Sequence, residues 1–95
     1  MKGVEKMLIN RKLFCRLELL LRVIEDSPYN MFFLREKNEK DDGFVALLEE
    51  LLEREIEVEV FRTGKHYNYV IKTDKFTEEE IDKFKNFYEY MKFMM

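Results

Sequence analysis

The side chains that most often carry catalysis are scarce in this sequence, which has one histidine, His66, one cysteine, Cys15, and one serine, Ser27. A single histidine excludes a metal centre built from several imidazoles within one chain. His66 follows Lys65 in a predicted turn, where a solvated side chain is more common than a ligand or a general base. Ser27 precedes Pro28 at a helix boundary, and capping explains it better than nucleophilic attack.

The remaining candidates for chemistry also lack partners at useful spacing. Cys15 stands among leucines, which predicts a buried thiol that acts as a small hydrophobe, with a disulfide between two copies as the alternative. The sequence Thr63-Gly64-Lys65 lacks the spacing of a phosphate-binding loop. No nucleophile, base and stabilising group come together, so we predict no catalytic residues, no metal site, no cofactor and no enzymatic activity.

Composition predicts one globular domain over residues 1–95. The chain is 46% hydrophobic and 39% charged, and 15% of its residues are aromatic. Such a balance supports a small hydrophobic core and is not that of a disordered chain. Abundant Lys, Glu and Leu without any Gln is typical of a thermophilic or AT-rich source, cellular or viral.

The apolar runs are too short to cross a membrane, and the first residues lack a secretory signal pattern. We therefore expect a soluble protein of the cytoplasm, or of the host cell if the source is viral, without a membrane partner.

Hydrophobic periodicity predicts a helix over residues 4–26 and a second helix over residues 43–54 that is capped by Asp41 or Asp42. Residues 29–37 fit either a short helix or a strand. Residues 55–73 alternate as two strands around Gly64, which supplies the positive backbone angle of the turn. Thr77 and Glu80 form a capping box that opens a terminal helix. The predicted fold is a small α+β domain, with about three helices packed on a β-hairpin or a three-stranded antiparallel sheet.

The two faces of the hairpin are predicted from its alternation. Ile56, Val58 and Val60 share the inward face of the first strand, with Tyr67 or Tyr69 opposite, and the tip is exposed.

The terminal helix carries apolar residues at alternating spacings of three and four, as in a coiled-coil seam. These seam residues are Ile81, Phe84, Tyr88, Met91 and Met95. They predict a self-association surface and a homodimer; the alternative is that the helix packs on the first helix as core.

The stretch LLEELLEREIEVEVFRTGKHYNYVIKT and the order of elements resemble the winged-helix layout. That resemblance implies a DNA-binding transcriptional regulator in which residues 41–54 enter the major groove and residues 77–95 dimerise. It places the wing contacts at Arg62, Lys65, His66 and Lys72.

Charge favours a different partner. Residues 35–55 carry a net charge of minus four, which would repel phosphates. We therefore expect a protein-interaction module, a small regulator or inhibitor, that binds a basic protein partner through an acidic face. The face comprises Asp41, Asp42, Glu49, Glu50 and Glu53. Nucleic-acid binding is the second hypothesis.

Overall fold

A computed structural model of the chain describes residues 11–26, 30–39 and 43–94. These ranges contain three α-helices and three strands, so the α+β class with a three-stranded antiparallel sheet is confirmed. In chain order the elements are α1 Arg11–Asp26, β1 Met31–Glu36, α2 Phe44–Leu52, β2 Val58–Thr63, β3 His66–Lys72 and α3 Glu78–Met94, with a short 3₁₀ turn at Thr73–Lys75. The predicted residues 4–10 of the first helix, and Asp41 and Asp42, lie outside the described residues.

The sheet has the order β1-β3-β2, with both neighbours antiparallel to β3. The ambiguous segment at residues 29–37 therefore contains a strand. β1 alternates exposed and buried side chains, which is the pattern of a strand with one covered face. Gly64 has φ 62° in the two-residue turn between β2 and β3, as the sequence predicts.

One face of the sheet, here called the core face, packs on the helices. Buried side chains from two helices and the sheet form this core. They are Leu13, Leu17 and Leu20 of α1, Phe44, Leu47 and Leu48 of α2, and Phe32, Leu34, Tyr69 and Ile71 of the sheet. Val58 is half-buried against this cluster, but Val60 is 51% exposed. Val60 lies opposite Tyr69 on the predicted face but is not buried as predicted, because it is on an edge strand and two residues nearer the hairpin tip than Val58.

The seam of α3 packs inside the protomer. Phe84 and Met91 are both 0% exposed, and Phe84 meets Phe76 edge-on with ring centroids 5.1 Å apart. Ile81 and Tyr88 are half-buried against the same core, whereas Met95 is not described. A fully buried side chain cannot contact a second copy, so the prediction of a self-association surface is wrong for Phe84 and Met91.

Contacts between α1 and α3 hold the two longest helices together. Phe14 stacks on Tyr88 at 5.0 Å, and the Tyr88 hydroxyl donates a hydrogen bond to Glu18 Oε2 at 2.7 Å. This hydrogen bond, more than burial, raises the pKa of Tyr88 above its usual value. Lys85 forms an ion pair with Glu25 at 3.3 Å.

Cys15 lies on the exposed face of α1. The expectation of a buried thiol is wrong, because two residues along a helix correspond to a rotation of about 200°. That rotation carries Cys15 to the side opposite Leu13 and Leu17.

The ends of α2 are set by two residues with positive φ. Gly43 occupies the N-cap with φ 96° and no side-chain capping hydrogen bond, and Glu53 ends the helix with φ 55°. The helix is therefore shorter than the predicted residues 43–54. At α3, by contrast, the capping box is confirmed: Glu80 N–H donates to Thr77 Oγ1 and Thr77 N–H donates to Glu80 Oε1, each at 3.1 Å.

Candidate interaction surfaces

The predicted acidic face is only partly available to a partner. Glu49 is half-buried, and its Oε2 accepts a hydrogen bond from the backbone N–H of Ile56 at 2.9 Å. Glu49 thus fastens the segment before β2 to α2. Glu36, at the start of the acidic stretch, forms ion pairs with Arg16 and Lys12 of α1. Of the five residues of the predicted face, Glu50 and Glu53 are exposed, and Asp41 and Asp42 are not described.

The exposed carboxylates continue beyond the predicted face. Glu55 and Glu57 point into solvent on either side of the buried Ile56. Within residues 11–26, 30–39 and 43–94, neither they nor Glu50 and Glu53 form an ion pair, and we call these four residues the acidic strip. The strip runs from the exposed side of α2 to the start of β2.

A cleft of about 500 Å³ borders the strip. Its apolar lining comes from Ile56, Val70 and Phe76, and Glu55 and Glu57 stand on its rim. A groove with an apolar floor and charged edges matches the general form of a recognition site, in which apolar contacts are surrounded by a polar rim.

An ion pair between Arg54 and Glu80 also lines the cleft. Arg54 Nε donates to Glu80 Oε2 at 2.6 Å and Nη2 donates to Oε1 at 3.0 Å, which is a bidentate pair. The guanidinium also lies 6.0 Å from the centre of the Phe76 ring. Hydrogen bonding within the pair lowers the pKa of Glu80 and raises that of Arg54.

The face of the sheet opposite the core, here called the outer face, is not covered by any of the described helices. Phe33 on β1 is 60% exposed and Phe61 on β2 is 48% exposed, while Val70 between them is buried. Neighbouring positions carry Arg35, which lies 3.3 Å from His66 Nδ1, and Lys72. The two phenylalanines lie on the strands either side of β3 and are the most exposed large apolar side chains of this face.

The four residues placed on a wing do not form one patch. Arg62 shares the core-face side of β2, donates from Nε to Gly64 O at 2.9 Å and lies over the Tyr67 ring. His66 and Lys72 stand at opposite ends of β3, about 20 Å apart at the usual rise of a strand. Lys72 forms an ion pair with Glu59 at 3.5 Å. Lys65 is exposed in the turn.

The described residues hold no group of three or more His, Cys, Asp or Glu placed to bind a metal ion. None of the helices in the described ranges is long and apolar enough to span a membrane.

The structure thus defines a small α+β domain with an acidic strip, an apolar cleft and a sheet face that carries the exposed Phe33 and Phe61. Comparisons of the chain with protein-family models, with curated proteins and with solved structures each found no match.

Proposed function

We propose that the chain is a non-enzymatic protein-interaction module that binds a basic segment of another protein at the acidic strip and cleft, and that also self-associates. The observation that carries the proposal is that Glu55 and Glu57, which form no ion pair with any described residue, line an apolar groove, and that the exposed Glu50 and Glu53 precede them at the end of α2. The other two carboxylates of the cleft lining, Glu59 and Glu80, are paired with Lys72 and Arg54. The charged residues of the lining that form no ion pair with a described residue are therefore Glu55, Glu57 and Lys75.

The two parts of this surface have different roles in binding. Exposed ion pairs contribute only about 0.2–1 kcal/mol each and are weakened by salt, so the strip serves mainly orientation and association rate. The cleft supplies the apolar contact: burying 100 Å² of apolar surface is worth roughly 2.5 kcal/mol. A suitable partner segment therefore carries an apolar anchor flanked by Lys or Arg.

A defined peptide tests the proposal. We would measure the fluorescence anisotropy of a labelled ten-residue peptide of alternating Lys and Leu, at low and at physiological salt. We expect binding that weakens with salt, and a loss of about five-fold or more in affinity for the double variant Glu50→Lys with Glu55→Lys.

The matched control reverses two charges away from the strip. It is the double variant Asp82→Lys with Glu89→Lys on α3, where both residues are exposed and neither lines the cleft. It should bind the peptide within about two-fold of the native chain. Equal losses in this control and the strip variant would show a general charge effect and contradict the site, as would binding of a peptide in which Asp replaces Lys.

Nucleic-acid binding is the second candidate, and the chain order of a helix, a hairpin and a terminal helix favours it, because this order resembles the winged-helix layout. The exposed side of α2 carries Ala46 and Glu50, which offer nothing to a phosphate. Electrophoresis with duplex DNA at two salt concentrations separates the candidates. We expect no retention at low salt, and specific, salt-sensitive retention would favour the second candidate.

A further inference from the structure

The outer edge of β2 is open. β2 pairs with β3 on one side, and no described residue pairs with it on the other. All of its residues are exposed except Val58, which is half-buried. An unpaired edge offers backbone N–H and C=O groups to another strand, and proteins usually protect such an edge with charges, proline or a bulge. Here the middle of the edge is apolar, with Val60 and Phe61, and it is charged only toward its ends.

The charges of this edge are complementary to themselves. The strand and its approach read EVEVFRTGK from Glu57 to Lys65, with acidic residues first and basic residues last. Antiparallel pairing of two copies therefore sets the acidic end of one against the basic end of the other, whereas parallel pairing would set like charges together. β1, the other edge, is charged only at its end and lacks this property.

The hairpin determines which backbone groups are free. Thr63 and His66 close a two-residue turn, so they exchange both hydrogen bonds, and the pairs then alternate along the ladder. Val58, Val60 and Arg62 consequently direct their backbone N–H and C=O groups away from β3 and toward the open edge.

We propose that two copies of the chain associate by antiparallel pairing of β2 with β2 around a two-fold axis at Phe61, which makes one six-stranded sheet. In this register Phe61 faces Phe61 of the second copy on the outer face, at a close, non-hydrogen-bonded position. Glu57, just before the strand, comes next to the turn of the second copy, where Lys65 is exposed, and the symmetry repeats the contact. The inference rests on the self-association included in the proposed function and assigns its surface.

A six-residue edge buries less area than a standard stable interface of ~1,600 Å². The dimer should therefore exchange with the monomer, and its dissociation constant should be measured by sedimentation or light scattering over a dilution series. We expect a concentration-dependent dimer for the native chain.

Val60→Pro tests the edge directly. Proline at this position removes an N–H that points away from β3, so the hairpin keeps its ladder and the protomer stays folded. We expect a folded monomer by circular dichroism and light scattering. A folded Val60→Pro protein that still dimerises would overturn the edge assignment, and loss of the dimer in Phe93→Glu alone would place the interface at the exposed end of α3.

Should Val60→Pro fail to fold, charge reversal provides the test. Glu57→Lys and Lys65→Glu should each raise the dissociation constant by about two- to thirty-fold, because each places two like-charge pairs in the symmetric interface. The double variant should restore the native value. Absence of this restoration would refute the register.

A cross-link locates the axis. In a Cys15→Ser background, Phe61→Cys should form a disulfide-linked dimer under mild oxidation, whereas Phe33→Cys, exposed on β1, should not. Efficient linkage through Val60→Cys instead would move the axis by one residue. A native chain that stays monomeric at all accessible concentrations would exclude self-association, while the peptide measurement would still decide the acidic strip.

Discussion

Replacing Phe84 by alanine tests whether α3 belongs to the protomer core. The ring is 0% exposed and packs edge-on against Phe76. Phe→Ala changes at such sites cost about 3–5 kcal/mol, because apolar contacts are lost and the cavity collapses only in part. A domain of this size is stable by about 5–15 kcal/mol, so the change removes much of the total. The corresponding fall in melting temperature is roughly 12–40 °C.

Urea unfolding followed by circular dichroism measures the effect, with Phe93→Ala as the control. Phe93 lies on the same helix but is 87% exposed, and its truncation should change the free energy of unfolding by less than about 0.5 kcal/mol. Both proteins should be compared at two concentrations, because a subunit contact would make the Phe84 effect depend on concentration. Two results would show that α3 packs on the protomer by another face. Either Phe84→Ala lowers the free energy of unfolding by less than about 1 kcal/mol, or Phe93→Ala lowers it by more than Phe84→Ala does.

Three further predictions address the sheet and the two polar contacts of α3. Val58→Asp should lower the free energy of unfolding by about 1–3 kcal/mol, because it places a charge against the core; an unchanged urea midpoint would contradict the burial of this position. The hydrogen bond from Arg54 lowers the pKa of Glu80, so its stabilisation is present above the unfolded-state pKa and is lost as the pH falls through the folded-state value. Glu80→Gln should therefore be less stable than the native chain at neutral pH, and this difference should shrink in acid; a constant difference would argue against the ion pair. The hydrogen bond to Glu18 raises the pKa of Tyr88, so its stabilisation is present below the unfolded-state pKa of about 10 and is lost as the pH rises through the folded-state value. Tyr88→Phe should lower the free energy of unfolding by about 1 kcal/mol at neutral pH and by less at alkaline pH, as measured by urea unfolding across pH. A loss that does not change with pH would show that the hydrogen bond is not its cause.

Local patterns predicted the elements well because each depends on residues close in sequence. The leucine spacing of α1 and α2, the capping box of Thr77 and Glu80, and the turn at Gly64 all appear in the structure as predicted. Helical periodicity would also have predicted an exposed Cys15, since its position is opposite the leucine stripe. The apolar residues next to Cys15 in sequence suggested that it was buried, but a helix places those neighbours on another face.

Position within the sheet was not predictable from local pattern. Val58 and Val60 alternate in the same way on one edge strand, yet only Val58 packs against the core, because Val60 lies nearer the hairpin tip. The seam of α3 was ambiguous for a related reason: a spacing of three and four suits both a core helix and a coiled coil. The packing of α3 on both α1 and α2 decides that Phe84 and Met91 are core.

The candidate site combined a predictable and an unpredictable part. An acidic surface near residue 50 followed from charge, and Glu50 and Glu53 are exposed as such a surface requires. The structural role of Glu49 depends on a hydrogen bond to Ile56, seven residues away, across a turn whose path the sequence does not define. The alternation of Glu55 and Glu57 around Ile56 was the available signal that the strip extends to β2.

The two proposals together predict a bivalent module. Antiparallel pairing of β2 places the two acidic strips at opposite ends of the strand–strand interface. Glu57 of one copy and Glu57 of the other are then about eight residues, or roughly 27 Å, apart along the strand direction. Lys65 of the second copy comes next to Glu57 only, so Glu50, Glu53 and Glu55 remain available in each protomer. A partner with two basic segments could then engage both strips.

Bivalency has a measurable consequence, because a second binding event within one complex is favoured by effective concentration. Two Lys/Leu peptides joined by a Gly/Ser linker of about 20 residues, with an r.m.s. span of roughly 25 Å, should bind the native chain at least about ten-fold more tightly than one peptide does. Val60→Pro should bind the single peptide normally and lose most of the gain for the tandem peptide, because its strips are on separate molecules. An equal gain for both proteins, measured at concentrations where the native chain is dimeric, would mean that the strips do not act as a pair, even if each binds a peptide alone.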